Sequence, residues 1–172
     1  MKAIIASDIH GNYKYTKKLE ELITQYNPDK IILLGDLLYH STSNEDFDAF
    51  KTINILNKYS SKIIAVRGNC DQDINEKTFN FDIKSNYKEI VMDGTRFILT
   101  HGHLLPYLTD QIKDNYTITG HTHIYIIDGM NLNPGSVGIP KINKEHTCFY
   151  YENSCFYLID LDNLNIIMSR KI

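Results

Sequence analysis

An α/β fold, a two-sheet mixed β-sandwich flanked by helices, is predicted by three features of the sequence. The first half alternates short, continuously apolar β-branched runs with amphipathic stretches. The second half is built of strand-length segments separated by Asp-Gly, Asn-Ser and Asp-Asn turns. Five of the apolar runs end on Gly, Asp, Asn or His. Fully apolar strands joined through helices indicate a parallel sheet covered on both faces, and the later hairpins indicate antiparallel strands.

Each element follows from local chemistry. Lys2–Ala6 reads as the first strand, followed by the polar loop Asp8-Ile9-His10-Gly11-Asn12. Asn12 caps a helix whose apolar positions Leu19, Leu22, Ile23 and Tyr26 recur at helical spacing, and Asn27-Pro28-Asp29 stops it. Ile31–Leu34 is the second strand, ending at Gly35-Asp36. A second helix is expected from about Asn44 to Tyr59, and Ile63–Val66 forms the third strand before Arg67-Gly68-Asn69. That order predicts helices on both faces of the first sheet. Tyr87–Met92 and Thr95–Thr100 flank Asp93-Gly94, a strong hairpin signal. Tyr116–Thr119, Ile124–Asp128, Thr147–Glu152, Cys155–Asp160 and Asn165–Ser169 complete the strands, with Asn133–Val137 read as a structural loop.

Composition bounds the function. The 172 residues predict one domain, residues 1–172, large enough to fold without a disulfide or metal staple. Net charge is −3, which disfavours a nucleic-acid polymer as partner. No apolar run approaches the roughly 18–20 residues of a membrane span, and Asp8 interrupts any signal-peptide core. The three cysteines, Cys70, Cys148 and Cys155, lack metal-knuckle spacing and predict a reducing, cytoplasmic compartment.

The chemistry is concentrated at strand ends. Asp8 and His10 follow the first strand, Asp36 the second and Asn69 the third; His101 follows Thr95–Thr100, and His121 and His123 follow Tyr116–Thr119. Five strands thus deliver seven metal-capable side chains toward one rim, where open α/β sheets place their ligands. Four His, two Asp and one Asn exceed the needs of a single four-coordinate zinc and suit two ions sharing a carboxylate. Imidazole with carboxylate favours Mn, Fe, Co, Ni or Zn over Mg or Ca. Two dications would outweigh two aspartates, so the site would attract phosphate on a globally negative chain.

Asp8-x-His10-Gly11, Gly35-Asp36, Gly68-Asn69-Cys70-Asp71, Thr100-His101-Gly102-His103 and Gly120-His121-Thr122-His123 occur in the order of the calcineurin-like metallophosphoesterase signature, which they resemble. With Val66-Arg67 and Asn133-Pro134-Gly135-Ser136-Val137, the chain is most similar to the YfcE-type phosphodiesterases of bacteria and archaea. The resemblance implies a four-layer metallophosphoesterase fold. It also implies one metal held by Asp8, His10, Asp36 and His123, and a second by Asp36, Asn69, His101 and His121, with Asp36 bridging. It implies two divalent ions, manganese first among them, and hydrolysis of small phosphodiesters by a hydroxide bridging the ions. A phosphomonoesterase or nucleotide phosphatase would use the same core. A protein-binding module like the retromer scaffold subunit is the alternative from a different class, and a homo-oligomer is compatible with either.

One position departs from the wider family: Cys70 stands where many relatives carry His, and a thiol is a poor general acid near neutrality. His40 and His103 are the catalytic candidates for that role. Arg67 is expected to pair with a carboxylate, His146 to be a solvated surface residue, Cys70 a small filler, and Cys148 and Cys155 core residues. Phe149-Tyr150-Tyr151 is expected either in the core or against another subunit.

Overall fold

The computed structural model describes residues 1–39, 45–71, 74, 77–142 and 144–172. Two mixed sheets pack face to face. The first has six strands, in the order β11 (Ile166–Lys171), β10 (Cys155–Asp160), β9 (Thr147–Glu152), β1 (Lys2–Ala6), β2 (Lys30–Leu33) and β3 (Ile63–Ala65). The second has five: β4 (Tyr87–Met92), β5 (Thr95–Thr100), β6 (Tyr116–Ile118), β8 (Asn131–Pro134) and β7 (Tyr125–Ile126). β1, β2 and β3 run parallel, and β9 joins β1 antiparallel.

The alternation of side chains along β1 explains both cores. Ile4 and Ala6 point to one side, where they meet Leu19, Leu22 and Ile23 of α1 (Tyr13–Tyr26) and Leu56 of α2 (Ala49–Lys58). Ala3 and Ile5 point to the other, against Phe97, Leu99, Ile118 and Leu132 of the second sheet. A strand buried on both faces has no polar side to show, hence its unbroken apolar run.

The predicted helices on both faces of the first sheet are not found. α1 and α2 lie on the same face and touch each other. Right-handed crossovers explain this: the chain steps from β1 to β2 to β3 in one direction, so each helix falls on the same side. The opposite face is taken by the second sheet, whose own crossover from β5 to β6 contributes only a 3-10 turn (Leu105–Tyr107) and the four-residue α3 (Thr109–Ile112).

Asn12 caps α1 as expected, accepting from the Tyr15 N–H, and Asn27 ends the helix in the left-handed region. α2 starts later than predicted because Asp48 caps it through the Lys51 N–H. The preceding Phe47 forms a bridge with Asn12 instead of a helical turn. Asp93 and Gly94 both have positive φ, as the predicted two-residue hairpin requires. β8 was not foreseen: Asn-Leu-Asn-Pro has poor strand propensity, and its pairing with β6 and β7 is a tertiary effect. Phe149, Tyr150 and Tyr151 are buried in the core.

Candidate metal centre

Five of the seven predicted ligands leave their strands through unusual backbone. Asp8, His10, Asp36, His121 and His123 all have φ between 51° and 68°, a region costing non-glycine residues of order 1–3 kcal/mol each. Backbone bonds hold the first two turns in place: Asp8 N–H donates to Gly35 O (3.1 Å), His10 N–H to Asp36 O (2.9 Å) and Gly11 N–H to Leu37 O (2.8 Å). The β1 and β2 exits are thus zipped together beyond the sheet. Gly68 completes the contact, since a methyl group there would overlap Asp36 Oδ1 and the Asp36 backbone nitrogen.

Both aspartates are buried and oriented alike. Asp8 Oδ2 accepts from the His121 N–H (2.9 Å), while Oδ1 lies 3.3 Å from His123 Nε2 and 3.8 Å from His10 Nε2. Asp36 Oδ1 accepts from the Cys70 N–H (2.8 Å), while Oδ2 lies 3.4 Å from His101 Nε2 and 3.9 Å from His10 Nε2. Each carboxylate is therefore anchored by one oxygen and presents the other to imidazoles. Asp8 Oδ1 is buried without a hydrogen-bond partner among the described residues.

The imidazoles are aimed by their second nitrogen. His101 Nδ1 sits 2.7 Å from Leu34 O, and His123 Nδ1 bonds to Ile139 O. A carbonyl can only accept, so each Nδ1 carries the proton and each Nε2 turns a lone pair inward. His10 and His123 bring their Nε2 atoms to 3.4 Å, a spacing natural for two nitrogens each about 2.1 Å from one cation. Asn69 Oδ1 lies 3.1 Å from His101 Nε2, and the His121 ring meets that of His101 at a centroid distance of 5.1 Å. Two buried carboxylates and inward lone pairs form a donor set that a divalent cation fits.

Titration follows the same layout. Burial opposes the Asp36 charge, but His101 and the Cys70 backbone N–H outweigh it and hold the carboxyl below the usual range. Burial pushes His10 and His121 down, aided by neighbouring imidazoles. His101 is also penalised by burial, yet Asp36 and Asp8 raise it overall.

The cluster floors a cleft of about 280 Å³ whose wall includes Tyr39, Cys70, Ile139 and Lys141. Tyr39 and Lys141 were not foreseen; neither carries a motif, and only the fold brings them to the rim. The anchors behind the site were also missed. Ser136 Oγ donates to Asp8 O (2.8 Å), and the Asn133 amide donates to Gly120 O (2.8 Å), fixing the loop before His121. Asp71 accepts from the N–H groups of Asp36, Leu37 and Gly68. The quoted motifs contain all three, so the signal was present without a role attached.

Other expectations need correction. Cys70 is no simple filler: it lines the cleft, and its thiol is pushed up to about 12 by burial and the Asp36 charge. His103 has its ring centroid 5.4 Å from that of His101 and 6.1 Å from that of His121, and is not among the cleft-lining residues. His146 is no solvated residue: it stacks on Tyr15 and bonds Val137 O through Nδ1 (2.7 Å). Arg67 has no carboxylate partner among the described residues, and its Nε is buried unpaired beside a separate cleft. Cys155 is only partly buried, whereas Cys148 is fully so. His40 lies outside the described residues.

The profile of the calcineurin-like phosphoesterase superfamily domain matches residues 1–154. The chain belongs to that superfamily. Phosphodiesterase YfcE of Escherichia coli is 34% identical over 184 residues, spanning 100% of this chain and 98% of the relative. The solved structure of that E. coli phosphoesterase superposes with a TM-score of 0.87, covering 100% of both chains. Phosphodiesterase MJ0936 of Methanocaldococcus jannaschii is 29% identical over 83% of this chain and 90% of its own. Vacuolar Protein Sorting 29 of Cryptosporidium parvum shares the fold at a TM-score of 0.64 and 16% identity, over 98% of this chain and 94% of its own. Among the described residues no helix is long and apolar enough to cross a membrane. The phosphoesterase superfamily and the clustered His and Asp side chains together make this a metal-dependent hydrolase.

Proposed function

We propose that this chain is a divalent-metal-dependent phosphodiesterase acting on small phosphodiesters, with one catalytic domain over residues 1–172. The observation that carries the reading is the paired orientation of Asp8 and Asp36, each tethered by one oxygen and offering the other to imidazoles. Diester preference is supported by the phosphodiesterases YfcE and MJ0936. Free cysteines support a reducing, cytoplasmic setting.

Asp8, His10, Asp36 and His123 would hold one cation, and Asp36, Asn69, His101 and His121 the other. We assign manganese first, with iron, cobalt, nickel and zinc compatible with the donors. A bound pair of cations supplies Lewis acidity toward the phosphoryl oxygens and toward water. The chain's own groups do the rest. The αL turns and backbone bonds preorganise the donors, so little reorganisation is needed as charge develops. Leu34 and Ile139 carbonyls keep the His101 and His123 protons on Nδ1.

Burial and the Asp36 charge push the Cys70 thiol up to about 12, which disfavours it as a nucleophile or as a general acid. Leaving-group protonation then falls to His40, with His103, whose ring neighbours His101 and His121, as the second candidate, and substrates with good leaving groups are favoured. The test compares metal-stripped and manganese-reloaded protein on bis(4-nitrophenyl) phosphate and 4-nitrophenyl phosphate. Hydrolysis should return only on reloading and favour the diester. A flat response would remove the phosphoesterase reading, and faster monoester turnover would make the enzyme a monoesterase.

A further inference from the structure

The segment after β8 is fastened to the metal-ligand loop along its length. Val137 N–H donates to Ser7 O (3.0 Å) and Gly138 N–H to Asp8 O (2.9 Å). The Asn12 amide donates to Gly138 O (3.1 Å), and Ile139 N–H to Ser136 Oγ (2.8 Å). Ile139 O in turn fixes His123. Two residues further on, Lys141 reaches the cleft wall, where it is the sole Lys or Arg among the described lining residues.

The Lys141 side chain shares the cleft lining with His10, His121 and His123. Among the described residues no carboxylate pairs with the ammonium group. A cluster that takes divalent cations would repel it. An incoming anion relieves that repulsion.

We propose that Lys141 is a specificity-determining residue that reads a second negative charge on the substrate, carried on the substituent beyond the scissile phosphoryl group. The favoured class is therefore phosphoesters whose second arm bears a carboxylate or a further phosphate. The phosphoryl group itself is served by the floor of the cleft, so a cation in the wall meets what projects past it. A lysine suits this task, because its flexible stem follows an anion whose position differs between substrates. Lys141 is exposed, so solvent screens the contact and the discrimination is modest, about three- to tenfold.

The assignment rests on the phosphoesterase reading, and the test separates the two without turnover. 4-Carboxybenzylphosphonate and its neutral 4-carbamoyl twin differ only in the distal charge, and their C–P bonds resist hydrolysis. Each is titrated calorimetrically into manganese-loaded wild type, Lys141→Arg and Lys141→Gln. The wild type and Lys141→Arg should bind the carboxylate about three- to tenfold tighter, with the gap closing at high salt. Lys141→Gln should bind the two phosphonates equally. A gap that survives Lys141→Gln, or no gap in the wild type, overturns the Lys141 assignment alone. Failure of both phosphonates to bind the wild type overturns the phosphoesterase reading and this assignment together.

Discussion

Asp36 is the side chain on which both halves of the cluster turn. Its Oδ2 lies near both His10 and His101, and its Oδ1 is consumed by the Cys70 N–H. Asp36→Asn keeps the shape but replaces one acceptor oxygen with a donor and removes the charge. Metal affinity and hydrolysis should fall by more than the roughly 10–100-fold that outer partners of metal ligands cost; equilibrium dialysis against manganese, alongside the diester assay, measures both. His40 is tested through leaving groups. If it donates the proton, His40→Asn should slow esters of basic alcohols at least tenfold more than nitrophenyl esters, which need no acid. Equal losses on both substrates would reject that role.

At the scale of elements, the site is a set of strand exits tied to one another by backbone. Ser136 shows how the loop after β8 takes part: its hydroxyl donates to Asp8 O and accepts from Ile139 N–H, joining the loop to the β1 exit. Ser136→Ala leaves both groups without that partner. The expected cost is about 1–3 kcal/mol of stability, read by urea denaturation, with a loss of manganese affinity because Asp8 and His123 both lean on this loop. A variant with wild-type stability and affinity would show the link to be dispensable. The α1 caps and the Asp93-Gly94 hairpin were legible in the sequence because they depend on neighbours along the chain. β8 was not, because Asn131–Pro134 becomes a strand only by pairing with β6 and β7.

For the whole molecule, packing makes stability respond to acid. Burial lowers the pKa of His146, which stacks on Tyr15 of α1 and bonds Val137. Its folded value lies below the unfolded one near 6.5, so the unfolded chain binds more protons in between. The contribution is complete above the unfolded pKa and is lost as pH falls from there toward the folded pKa. His146→Phe keeps an aromatic ring against Tyr15 but cannot charge. Its melting temperature should therefore drop less than the wild type's between pH 7 and pH 5, as scanning calorimetry would show. An equal drop in both proteins would place the acid sensitivity elsewhere.

The sequence by itself determined which side chains make the cluster and at which strand ends they stand, since apolar runs and turn residues are local signals. It also determined the superfamily, through motifs in a fixed order. The tertiary structure alone decided that both long helices share one face, because crossover handedness acts between strands. It decided, too, that His146 is stacked against α1, that His103 sits beside His101 and His121 outside the cleft lining, and that Lys141 meets the cleft. Those facts depend on contacts between segments far apart in the chain, and residue spacing carries no record of them.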